Sequence, residues 1–140
     1  MIDPKDSINK IIDEVKSIRS ELNKLASTIH SRRLESSISI INEVLANVRD
    51  KVNDIILQVD HIPSLYVERW LIIKQLNVVL SHIDLVLNYA KVIIGQVERN
   101  IISEYRLKRE EDYIIRHIKY IIEALEDVLK NLSNILLTLK

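Results

Sequence analysis

The chain has 140 residues, 47% hydrophobic and 29% charged, with one Gly, two Pro and no Cys. Its 20 basic and 20 acidic residues cancel, so it lacks the basic excess on which phosphate-backbone binding usually rests. Without thiols there are no disulfides, thiolate metal sites or cysteine nucleophiles, and a single Gly cannot build a phosphate-cradling glycine loop.

So little turn punctuation argues against strands and for a single all-α domain spanning 1–140. The opening Met1-Ile2-Asp3-Pro4 does not read as a signal peptide. The most apolar stretch, 70–97, is interrupted by Lys74, His82, Asp84 and Lys91, so no membrane span is expected. The expected setting is cytoplasmic.

Four helices are expected, at about 4–30, 32–62, 65–107 and 113–139. The first starts well, because Asp3 can cap it and Pro4 suits a first helical position. Ile8, Ile11, Val15, Ile18, Leu22, Leu25 and Ile29 then keep heptad spacing on an otherwise polar helix, which gives one narrow buried stripe. The row resumes at Leu34, Ile38, Ile41, Leu45, Val48, Val52, Ile55, Val59 and Ile62, shifted in phase by two residues. Coiled-coil insertions are normally of three or four residues, so a tight turn within 30–33 is expected, with Ser31 capping the second helix.

Pro63 and Ser64 mark the clearest break, with Ser64 a natural cap and Glu68 on the favourable side of the dipole. The third helix carries a seam of Ile73, Leu76, Leu80, Ile83, Leu87, Ala90, Ile94, Val97 and Ile101, widened by Ile72, Val79, Val86 and Ile93. A second apolar row, Leu71, Val78, Leu85 and Val92, lies about 140° round the helix at 100° per residue. Tyr66 and Trp70 are expected to close the core at the start of this helix. A turn is placed at 106–112, so the third helix is the longest, overhanging its neighbours or bending at Gly95. The final row runs Ile114, Ile118, Ile121, Leu125, Val128, Leu132, Ile135 and Leu139. Short connections make sequential helices antiparallel. The expected fold is thus an elongated up-down four-helix bundle with a long third helix.

Two surfaces follow. Antiparallel order gathers Arg32 and Arg33 with Arg106, Lys108 and Arg109 at one pole, a candidate anion or nucleic-acid site. Helix dipoles alone also place cations at helix C-termini, and Glu110, Glu111 and Asp112 beside them would cancel much of the field. The row Leu71, Val78, Leu85 and Val92 is the stronger candidate: covered by no partner, it would leave contiguous apolar surface in water.

His30, His61, His82 and His117 show no helical-turn pairing with one another and no Glu-x-x-His spacing, so no metal site is expected. No serine stands in a Gly-flanked catalytic turn, and neither catalytic residues nor a cofactor are expected. The reading is a non-enzymatic helical interaction or scaffold protein that uses the third-helix row, as a homo-oligomer (a dimer first) or with a protein partner. The alternative is a small nucleic-acid-binding subunit using the basic pole.

Overall fold

The computed structural model of the chain describes residues 3–62 and 66–139. They form an all-α four-helix bundle: α1 (Pro4–Ser31), α2 (Leu34–Asp60), α3 (Tyr66–Glu98) and α4 (Glu104–Thr138). Asp3 caps α1 through a 3.0 Å bond from the Lys5 amide to Oδ1, with Pro4 in the first turn. The expected heptad residues of α1 and α2 are buried.

The α1–α2 turn is tighter than expected and lies beyond Ser31. Ser31 is the last residue of α1, and its hydroxyl donates back to the Thr28 carbonyl at 3.3 Å. Arg32 and Arg33 are both extended, which carries the chain across to the neighbouring helix before Leu34 turns into the core. Arg33 holds the cap position without a side-chain cap bond. The expected cap at Ser64 lies outside the described residues.

The third turn is displaced more. α3 ends at Glu98, where Asn100 adopts a left-handed backbone with φ 56°. The Ile101 amide reaches the Gln96 carbonyl at 3.0 Å and the Asn100 amide reaches that of Val97 at 3.0 Å. These two bonds are the Schellman ending, with Asn in the place glycine usually takes. Ser103 then caps α4, its hydroxyl accepting from the Arg106 amide at 3.2 Å. The segment expected to turn, 106–112, is instead the first part of α4. Among the described residues α3 therefore has 33 against 35 for α4, and it does not outreach that helix. It runs through Gly95 and ends three residues later.

The helices pack in a ring, α1–α2–α3–α4 and back to α1, with α1–α2 the loosest side. α2 and α4 touch across the middle, whereas α1 and α3 do not meet, so the cross-section is a rhombus rather than a square. Within α3 the fully buried line is Ile72, Leu76, Val79, Ile83, Val86, Ala90 and Ile93. The residues expected to flank the seam thus lie in it. Ile73, Leu80, Leu87 and Ile94 are only partly covered, and Ile101, beyond the helix end, is exposed. The seam turns this way because α3 must face both α2 and α4. Trp70 does not close the core: it is 67% exposed, with the Lys74 ammonium 5.2 Å from its ring. The side chain of Tyr66 lies outside the described residues.

Candidate functional site

With only α2 and α4 as neighbours, α3 turns its remaining face outward. Leu71, Val78, Leu85 and Val92 lie on that face, 42%, 45%, 43% and 57% exposed. They account, with Trp70, for five of the ten exposed large hydrophobic side chains among the described residues. The other five, such as Leu57 and Leu137, are not on α3 and form no heptad row. By length and composition alone, Glu68–Glu98 is also apolar enough to cross a membrane, and 28% of its most apolar window is buried in the bundle.

Polar contacts to the neighbouring helices border this row on both sides. Toward α2, Asp84 meets the Arg49 guanidinium at 3.1 Å. Toward α4, Asn131 donates to the Gln75 side-chain carbonyl at 3.0 Å. On that α4 side lies a seam of rings on α3 and α4. His82 Nδ1 stands 3.5 Å from His117 Nδ1, with ring centroids 5.6 Å apart. Tyr113 lies 4.4 Å from His117 and 4.5 Å from Tyr89, and Tyr120 stands edge-on to His117 at 5.6 Å. Burial lowers the pKa of His117 from its ordinary value, helped by the nearby charges of His82 and Arg116. The His117 imidazole is thereby kept apt to act as a neutral nitrogen ligand or hydrogen-bond partner.

Nothing in the sequence spacing of the histidines points to this pair. Residues 35 apart meet only through the register of α3 against α4, and that register depends on where the chain turns. A turn centred near 109 would set His82 against about residue 136 by simple reflection; the observed turn, centred near 101, sets it against about residue 120. No third His, Cys, Asp or Glu joins the pair in a metal-holding group among the described residues.

The first and third turns do come together at one pole, but three of its five cations are held in ion pairs. Arg33 pairs with Glu104 at 3.6 Å, Arg106 with Glu110 at 3.7 Å, and Lys108 with Glu111 at 3.4 Å. The groove between them, about 200 Å³, is lined by two cations, Arg33 and Lys108, and three carboxylates, Glu35, Glu104 and Glu111, with Leu34 and Leu107. Arg32 and Arg109 are exposed and do not line it. Comparison of the chain with protein-family models, curated proteins and solved structures gives no match.

Proposed function

We propose that this is a cytoplasmic, non-enzymatic interaction protein that pairs with a second copy of itself through the outer face of α3. The observation that carries the reading is the row Leu71, Val78, Leu85 and Val92, left 42–57% exposed while the opposite side of the same helix is core.

The row also favours one orientation. Its midpoint falls between Ser81 and His82, so an antiparallel two-fold sets Leu71 against the second copy's Val92 and Val78 against its Leu85. Lys74 then meets the stretch holding Asn88 and Tyr89, whereas a parallel pairing would stack Lys74 on Lys74. The energetics point to a modest affinity. Burying the remaining exposure of four aliphatic side chains gains about 3–6 kcal/mol per copy. Association costs roughly 4–15 kcal/mol in lost freedom, so the face by itself supports a weak, concentration-dependent dimer. The ion pairs at the basic pole weigh against nucleic acid as the partner, since each would have to be broken or shared to bind phosphate.

Replacing Val78 and Leu85 together by Glu tests the reading. In light scattering across micromolar concentrations, the wild type is expected to approach twice the chain mass, and the variant to stay monomeric with unchanged helicity. A wild type that is monomeric at high micromolar concentration overturns the proposal. So does one that floats with neutral phospholipid vesicles through this face, because the row would then serve a bilayer instead.

A further inference from the structure

Resting on that pairing of two copies, we infer that His82 and His117 form half of a divalent-metal site that the second copy completes, with four imidazoles around one Zn²⁺. The spacing of the pair is the first ground. At 3.5 Å the two Nδ1 atoms are further apart than a good nitrogen-donated hydrogen bond, which runs about 2.7–3.2 Å. Tetrahedral Zn²⁺ with Zn–N bonds of about 2.0–2.1 Å separates its ligand nitrogens by roughly 3.3 Å. The pair is therefore set close to the edge of a zinc tetrahedron without further movement of either helix.

Position is the second ground. His82 lies next to the midpoint of the apolar row, on the flank that faces α4. An antiparallel two-fold returns that flank to the same side of the interface at the same height, so each copy presents its pair beside the other's. A single chain has only two such ligands there among the described residues, and structural zinc takes four. The second copy makes up the number.

The surroundings are the third ground. Tyr113 and Tyr120 pack against His117, so the imidazoles are held in place by rings rather than left to sweep through water. Imidazole suits zinc among the available divalent ions, and neighbours that fix the orientation of the ligand rings strengthen such a site. A metal shared across the two-fold would add to an apolar contact that is weak on its own.

The test is sedimentation and zinc binding by the intact chain at pH 7.5, in chelator and then with ZnCl₂. The expected result is a dimer tightened by roughly tenfold or more in zinc, at one ion per two chains, reversed by chelator. In His82→Gln and His117→Gln, with helicity checked by circular dichroism, zinc is expected to leave the mass unchanged. A dimer indifferent to zinc overturns the metal inference and leaves the paired face standing. A zinc-driven dimer that persists in the Val78→Glu, Leu85→Glu variant overturns the paired face. One zinc per chain without a change in mass, or no zinc bound, overturns the shared site.

Discussion

Glu110 keeps one carboxylate oxygen, Oε2, buried without a hydrogen-bond partner, while Oε1 lies 3.7 Å from the Arg106 guanidinium. The side chain is only 13% exposed, and burial raises its pKa above the ordinary 4.5 despite the arginine. The fold thus binds this proton more tightly than the unfolded chain does. Below 4.5 both states hold the proton and the group is neutral to stability. As pH rises from there through the raised value, stability falls, and it stays reduced above. Glu110→Gln is therefore expected to melt higher than the wild type at pH 7, with the gain shrinking at pH 4. A lower melting temperature at pH 7 would mean that the Arg106 pair outweighs the buried charge.

Among the elements, α3 bears a cost that nothing in its packing requires. A Cβ built on Gly95 meets no atom within 4 Å, and the residue has an ordinary helical backbone. Gly95→Ala is expected to stabilise the protein by about 0.5–1 kcal/mol in urea denaturation, since alanine loses less chain entropy in a helix. Were Gly95 a hinge, the same change would destabilise. The heptad rows of α1, α2 and α4 were legible because each has one apolar stripe and one polar face, and the core takes the stripe. α3 was harder to read: apolar residues surround much of it, so periodicity alone could not say which line faced inward. Its end was hidden for a similar reason. Ile101 and Ile102 continue the hydrophobic run through the turn, while the stop is written in Asn100 and the new start in Ser103. Ser31 misled in the opposite sense, as a good cap residue used to end a helix. The outward row was readable as a row, and its exposure became visible only once α3 was seen to touch two helices.

Across the whole molecule, charge balance and shape act together. Formal net charge is zero and the isoelectric point is about 6.9, so two copies repel each other least near neutral pH. The ring arrangement leaves α3 at one acute corner of the rhombus and α1 at the other, out of contact. A helix at such a corner has the smallest share of its surface inside the bundle, and α3 is the corner helix whose outer side carries an apolar row, beside exposed Lys74, Ser81 and Asn88. α1 holds the equivalent corner with a polar outer side, Lys10, Asp13, Lys16, Ser20 and Lys24. The asymmetry gives the molecule one adhesive edge and one wetted edge, which suits a closed pair and not a growing fibre.

The rhombus also says something about the order in which the chain assembles. Three of its four sides join helices that follow one another in sequence, and those contacts close across short connections. Proteins rich in local contacts fold in microseconds to milliseconds. Only the α1–α4 side, where Ala26 and Ile115 line the same hollow, must bring together segments separated by most of the chain. That closure costs the most loop entropy and belongs late on the route, after the α2–α3–α4 sheaf has formed. Ile115→Ala is then expected to speed unfolding while leaving the refolding rate almost untouched in stopped-flow measurements. A refolding rate that slows in proportion to the lost stability would place α1 in the nucleus, and the N-terminal helix would be the founder of this bundle rather than its latch.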